Sequence, residues 1–436
     1  MDNFKSEGIG EDAFMDRRDF FKTTALPLLA AACPKVFAEG GKAASILMVS
    51  GWQSVNIGDI AHTIGLIQTF KKFLPEAKLT LWKVKPDAEV EAMISRHFPD
   101  VEIITTALKR DLSPTDGRLA EAAKKCDILV HASGPSVVAR RHISAWRKIC
   151  PKPYGIFGVT VDKIDEPLKD ILQNAAFVFT RETASLENLK EAGIDRPVCA
   201  FVPDATFAFD VRDDAKADAF FESHKNVLAP GKFVCFIPRL RYTPYWKANR
   251  KRYSPAEISR REAVNARCEP VDSAKMRDAI EWLCRNTDLN ALLCPEMTYQ
   301  QELCKTALYE PLKSKFADRL VVRGYWMPDE AASVYARAAA LFSFECHSPI
   351  LALRQGTPAA YLRQPEDTIK GQMYYDLPLT QWVFEIENTD STKIISALSD
   401  ILKKPELARS RVSAANAAAD ALLKKGAHIT GQKALS

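Results

Sequence analysis

One pattern recurs along the chain: a short apolar run, a turn of small or polar residues, then a longer segment with apolar residues at helical spacing. Ser45-Ile46-Leu47-Met48-Val49-Ser50, ended by Gly51, is the first such run. It is too short for a buried helix and does not alternate as a half-exposed strand does, so it predicts a strand covered on both faces. Apolar residues at Ile60, Ile64, Ile67 and Phe70 predict a helix over 60–74, and Lys78 to Trp82 predicts the next strand. Further strands are predicted at 126–131, 154–159 and 176–180, with a helix at 182–192 closed by Gly193. Strands alternating with helices build a mostly parallel, doubly wound sheet, because each return to the same edge needs a crossover.

The pattern then starts again. Residues 211–231 are charged, contain no strand run and end in Pro230-Gly231, which predicts an interdomain connection. Beyond it come predicted strands at 232–237, 289–294, 320–322 and 340–344, with helices at 276–286 and 328–338. A segment rich in Ala, Leu, Lys and Glu at 391–425 predicts a helical tail that packs on the surface or crosses back to the first domain. The fold class is therefore α/β, with two Rossmann-like doubly wound domains at 45–210 and 232–385 and a C-terminal helical tail. At 436 residues the chain exceeds the size at which a single core keeps growing, so two cores are expected. With 47% hydrophobic and 26% charged residues it is not a disordered chain. A net charge of +5, with Lys and Arg dispersed, implies no nucleic acid partner but leaves room for anionic small ligands.

The N-terminus reads differently. Arg17-Arg18-Asp19-Phe20-Phe21-Lys22, the apolar run to Ala32 and the small-residue site Val36-Phe37-Ala38 look like a twin-arginine signal of residues 1–38, the alternative being the start of a basic amphipathic helix. It implies the twin-arginine (Tat) export machinery as a partner and a periplasmic or cell-envelope location. The run is shorter than the ~20 residues a membrane span needs, and no other stretch qualifies, so the mature chain is expected not to be an integral membrane protein. Leu29-Ala30-Ala31-Ala32-Cys33 resembles a lipoprotein processing site, which offers lipid anchoring at Cys33 as an alternative. Ten cysteines are present, and losing Cys33 leaves an odd number. No Cys-x-x-Cys occurs, and Cys284, Cys294 and Cys304 fit no zinc spacing, so core thiols are expected.

Open α/β sheets bind ligands at the carboxyl ends of their strands, so residues just after strands are the candidates. Asn56-Ile57-Gly58-Asp59 follows the first strand: Gly58 permits close approach and the helix N-terminus offers N–H groups to an anion, or the segment is simply a capped helix start with Asp59 near the cap. His131-Ala132-Ser133-Gly134-Pro135 follows another strand; Ser133 and Gly134 let backbone line a pocket, or the turn merely leaves the sheet around a buried His131. Arg181 either clamps a carboxylate or phosphate or braces loops by pairing with Glu182 or Asp204. In the second half Arg239 and Arg241 follow one strand, Glu296 another, and Glu345-Cys346-His347 a third, with Lys370 downstream. His347, opening a helix over 348–355, suits acid–base work in the cleft or serves as a cap. Arg239, Arg241 and Lys370 offer positive charge to an anionic donor.

In order and spacing these residues resemble the polysaccharide pyruvyl transferase family: Asn56-x-Gly58-Asp59, the small-residue loop at Ser133-Gly134, Thr180-Arg181-Glu182 with Ser185, Pro203-Asp204 before Phe207, and His347 followed by Gly356-x-Pro358 and Lys370. The resemblance spans residues 45 to 385. It implies a GT-B-like fold and transfer of a pyruvyl group from phosphoenolpyruvate to hydroxyls of a polysaccharide or oligosaccharide acceptor, as a ketal. His347 would then handle protons, Arg239, Arg241 and Lys370 would hold the donor, and no metal or redox cofactor would be required. Two features depart from the family. Glu345 stands where Arg is common, two positions before the His, and the loop at Ala132-Ser133-Gly134-Pro135 lacks the usual run of glycines. Export would also separate the protein from a cytosolic donor. The alternatives are an exported, non-catalytic glycan-binding relative, or a glycosyltransferase-type enzyme using a different donor.

Overall fold

The computed structural model describes residues 42–50, 54–83 and 85–436. The signal expected at 1–38, Cys33 within it and Gly51 lie outside the described residues. Short apolar runs become strands as the pattern predicts: β1 (Ser45–Ser50), β2 (Lys78–Lys83), β3 (Glu102–Thr105), β4 (Ile128–His131), β5 (Tyr154–Val159), β6 (Phe177–Thr180) and β7 (Val198–Phe201) form one sheet in the order β3-β2-β1-β4-β5-β6-β7. A second sheet has the order β10-β9-β8-β11-β12-β13, from β8 (Phe233–Ile237), β9 (Asn290–Leu293), β10 (Leu320–Val322), β11 (Ala340–Ser343), β12 (Ala359–Arg363) and β13 (Val383–Glu385). Every pair in both sheets is parallel. Each sheet has the Rossmann order, which reverses direction once, between β1 and β4 and between β8 and β11.

The helices that bear on the site are α1 (Ile57–Phe73), α2 (Thr183–Glu191), α3 (Asp214–Ser223), α4 (Pro255–Asn286), α5 (Pro328–Tyr335), α6 (His347–Arg354), α7 (Ser391–Lys403) and α8 (Pro405–Leu435). Three differ from expectation for physical reasons. The connection at 211–231 contains α3, whose Phe220 and Phe221 are buried and whose N-cap residue Asp213 donates its amide to the Asp329 carbonyl at 3.0 Å. That segment is part of the second half rather than a free linker. Helix α4 begins at Pro255, far before the expected 276, because its first half is charged and largely exposed and shows no apolar periodicity. It is held instead by the Ser254 cap and a Glu257–Arg261 pair at 2.6 Å one turn apart. The tail is two helices, and the second runs to Leu435.

Ala43–Ser436 form one compact unit. Instead of two separate cores, a continuous apolar cluster runs from Ile46 and Phe70 beside the first sheet through Phe207 and Phe209 to Phe236 and Phe342 of the second. A smaller cluster, with Leu129, Trp146 and Ile156, covers the opposite face of the first sheet. Helix α8 belongs to the larger one. It leaves α7 beside the second sheet and crosses back to α1, where Leu423 and Ala427 are buried and Asp420 meets Lys72 at 2.8 Å. None of the described helices is long and apolar enough to cross a membrane. The nine described cysteines are all free thiols.

Because α8 joins the two halves, Leu423→Ala is expected to cost about 2–5 kcal/mol in urea unfolding while keeping a single transition. A loss below about 1 kcal/mol would show that the tail adds little to the shared core.

Candidate functional site

The site grows from the two points where strand order reverses. Asn56 follows β1 and Ser133 follows β4; Arg239 follows β8, and Glu345 and His347 follow β11. Glu296 follows β9.

Asn56, not Asp59, caps α1: its Oδ1 accepts from the amides of Gly58 at 2.7 Å and Asp59 at 3.4 Å. The Ile57 amide donates to the Glu296 carbonyl at 3.0 Å and that of Ile60 to the Asn56 carbonyl at 3.2 Å. The first-turn amides are thus already bonded, and this helix start has none to offer an anion. Gly58 has a different task. A Cβ there would lie 2.3 Å from His347 Nδ1, so only glycine lets the imidazole pack against α1.

His347 begins α6 with 9% of its side chain exposed. Its Nδ1 faces Glu296 Oε1 at 3.3 Å, and its Nε2 faces His62 Nε2 at 3.0 Å and Asp204 Oδ2 at 3.9 Å. His62 Nε2 also lies 3.3 Å from Asp204 Oδ2. Glu296 is fully buried and accepts from the Ser348 amide at 2.6 Å and the Ser348 hydroxyl at 2.8 Å, which fixes its carboxylate under the start of α6. Burial opposes charge on the His347 ring, yet Cys346, Asp204 and Glu296 beside it together hold its pKa well above the ordinary histidine value. Burial likewise pushes the Asp204 carboxyl up, but His62, His347 and Arg181 outweigh it and hold it well below the usual range. The nearby Asp59 carboxyl is raised, chiefly by burial.

Arg181 is buried and braces. It pairs with Asp204 at 2.7 Å and Glu182 at 3.6 Å, and its Nε–H donates to the Thr160 hydroxyl at 2.8 Å. Burial raises Glu182 to about 7. Ser133 is also internal: its hydroxyl donates to the Phe157 carbonyl at 3.2 Å and accepts from the Ala205 amide at 2.9 Å. The Gly134 carbonyl accepts from the Thr160 amide at 3.2 Å. Gly158, on β5, sits at φ +67°, and a Cβ there would lie 2.6 Å from the Ser133 hydroxyl, so this loop is closed by glycine from the strand beside it. His131 is fully buried, its Nε2 accepting from the Ala139 amide at 3.2 Å, and burial lowers it to about 3.

The expected donor cations are engaged. Arg239 lies 3.2 Å from Glu345 and 2.6 Å from Asp367, and Lys370 lies 2.8 Å from the same Asp367. Arg241 is held by both oxygens of Asp272, at 2.7 and 3.1 Å, and by Glu387 at 2.8 Å. Arg241 therefore anchors α4 to the second half instead of facing the cluster. Glu345 accepts from Gln300 Nε2 at 2.7 Å, and burial raises it to about 7. Sequence reasoning placed His347, Glu296, Gly58 and Asp59 in one neighbourhood. It missed His62 as a site residue and named Asp204 as a bracing partner of Arg181 and within the Pro203-Asp204 motif, without placing it beside His347. His62 had a signal: it stands one turn beyond Gly58 and Asp59, on the same face of α1.

Among the described residues, His62, Asp204 and His347 form the group of side chains able to hold a metal ion. The arrangement can hold a proton between two halves of the protein, or bind a cation among carboxylates.

Residues 56–364 match the family model described as polysaccharide pyruvyl transferase. No curated protein matches in sequence. Among solved structures, a putative UDP-N-acetylglucosamine 2-epimerase from Listeria monocytogenes is similar, at 13% identity and TM-score 0.56 over 87% of this chain and 94% of the other. The UDP-GlcNAc 2-epimerase of Neisseria meningitidis bound to UDP-GlcNAc gives 10% identity and TM-score 0.56 over 87% and 97%. HepE of Anabaena in complex with UDP-glucose gives 13% and 0.53 over 88% and 98%. These likenesses concern the fold, which is the two-domain GT-B-like arrangement.

Asp204→Asn removes the main partner of the buried Arg181 and is expected to cost about 3–5 kcal/mol in chemical denaturation. An unchanged midpoint would mean that Glu182 alone suffices for Arg181.

Proposed function

Because the chain belongs to the polysaccharide pyruvyl transferase family, we propose that it transfers a pyruvyl group from phosphoenolpyruvate to hydroxyls of an envelope glycan, with His347 as the proton donor. The observation that carries this is His347 itself. It lies between the two halves against Gly58, and although burial opposes its charge, Cys346 and the bonds to Asp204 and Glu296 hold its pKa well above the ordinary histidine value. A sugar hydroxyl bonds to C2 of the donor while the proton passes from His347 to the methylene carbon. A second hydroxyl then displaces phosphate and closes the ketal, and the two hydroxyl protons leave to the ring and to solvent or phosphate. Arg239 and Lys370 are the cations nearest this role, and no resident cofactor is needed for the step. In this proposal the chain is exported by the twin-arginine route on the signal at 1–38 and works at the cell envelope, so its donor must be supplied there.

A second reading, a glycan-binding relative without donor chemistry, is favoured by one observation: Glu345 and Asp367 already neutralise Arg239. An anionic donor must displace Glu345 or find it protonated.

The two readings separate by experiment. His347→Ala is expected to abolish ketal formation, read by mass spectrometry of the glycan, with an unchanged circular dichroism spectrum; retained transfer sinks the proposed role. Calorimetry with phosphoenolpyruvate should show binding, whereas binding of oligosaccharide alone would establish the second reading. A binding curve with UDP-glucose but not phosphoenolpyruvate would point to a different donor. Cell fractionation with intact-mass analysis tests export.

The donor's affinity should also depend on pH. Glu345 is raised to about 7 by burial, against the pull of Arg239 and Lys370 and with the push of Glu296 and Asp367. A bound anion favours its protonated form, so binding is expected to tighten as pH falls through about 7 and to weaken above it. Glu345→Gln should tighten binding at pH 8 and flatten the profile. A profile unchanged by that substitution would place the donor elsewhere.

A further inference from the structure

The His62–Asp204–His347 cluster has a geometry that proton transfer does not require. Its donor atoms are separated by 3.0 Å (His62 Nε2 to His347 Nε2), 3.3 Å (His62 Nε2 to Asp204 Oδ2) and 3.9 Å (His347 Nε2 to Asp204 Oδ2). The point equidistant from three atoms so spaced lies ~2.0 Å from each, which is the bond length of zinc to imidazole nitrogen and carboxylate oxygen. Two nitrogens 3.0 Å apart can share only one proton. As a result, lone pairs outnumber protons in this space unless a cation occupies it.

A second observation points the same way. Metal-bound histidines turn their other ring N–H to a carboxylate, which fixes the tautomer and makes the ligand nitrogen more basic. Behind His347, Nδ1 meets Glu296 Oε1 at 3.3 Å. Only His347 shows this pairing: the Nδ1 of the fully buried His62 has no hydrogen-bond partner among the described residues, and Asp59 Oδ1, at 4.0 Å, lies beyond hydrogen-bond reach. The surroundings are also rich in carboxyl groups: Asp59, Glu182, Asp204 and Glu296 are buried there with Arg181 as the neighbouring buried cation. A divalent ion would clamp α1 of the first half to α6 of the second.

We propose that His62, Asp204 and His347 form a three-ligand site for a divalent metal of the zinc class, with proton and metal as alternative occupants of His347 Nε2. Imidazole and carboxylate together suit Zn²⁺ better than the hard ions Mg²⁺ or Ca²⁺. With metal bound, the lone pair that carries the transferable proton is taken, so zinc switches pyruvyl transfer off; this last clause alone rests on the function proposed above.

Zinc binding to the chelator-treated full chain, measured by equilibrium dialysis and elemental analysis, should show one tightly held equivalent. That equivalent should be lost in His62→Ala and in His347→Ala and kept in Cys346→Ser, which removes the neighbouring thiol. The native chain should also melt at a higher temperature with zinc, a readout that needs no variant to fold. Tight binding that survives in the double variant His62→Ala/His347→Ala, or no tight equivalent and no thermal shift in the native chain, overturns the site. In the transfer assay, inhibition by one equivalent of zinc and recovery with chelator supports the switch, and full activity of the zinc-loaded chain overturns it. Absence of transfer with and without chelator condemns the reaction and leaves the zinc stoichiometry to stand or fall by itself.

Discussion

A carboxylate removed from water must find a cation or keep its proton, and the centre of this protein is arranged around that requirement. Asp204, Glu182, Glu296, Asp59, Glu345 and Asp367 all lie at buried positions where the two sheets face each other. Each one meets it differently. Asp204 has Arg181 and the histidines, and Glu296 has the Ser348 amide and His347; Asp367 has Arg239 and Lys370. Glu182 and Glu345, less fully compensated, are pushed toward neutrality by burial. The loops that carry these groups end strands of both sheets, so satisfying the charges and docking the halves are one event.

The same requirement explains why the basic residues after β8 do not stand ready for an anion. Arginine at a strand end is a natural anion clamp. With Glu345 3.2 Å away and Asp367 at 2.6 Å, Arg239 has resident anions, and the pocket is an ion-pair network. Arg241 is further removed, since its guanidinium ties β8 to α4 and the Glu387 turn. A single acidic residue thereby constrains what its neighbours are free to do.

Much of this was legible in the sequence. Apolar runs such as Ser45–Ser50 and Phe233–Ile237 declared buried parallel strands, and their repetition declared two doubly wound sheets. Strands β3, β7, β12 and β13 were not legible, being short, partly exposed, or built on a residue pair such as Ala359-Ala360 that carries little strand preference. The first half of α4 was hidden because exposed charged helix has no periodic signature. At the site, motif order brought Gly58, Asp59 and His347 forward. The partnership of His62 with His347, 285 positions apart, exists only in three dimensions. That Asn56 spends its side chain on a cap, and that Ser133 binds backbone on both sides, likewise depends on where neighbouring loops arrive.

The main chain before α1 is knitted to the loop after β9. Asn56 and Met297 form an antiparallel bridge, Ile57 donates to Glu296, and Thr298 donates to Val55 at 3.0 Å. Parting the lobes along this seam means breaking these backbone hydrogen bonds together, not rotating a few side chains. Two lobes stitched in this way travel as a single body unless the polypeptide itself opens locally.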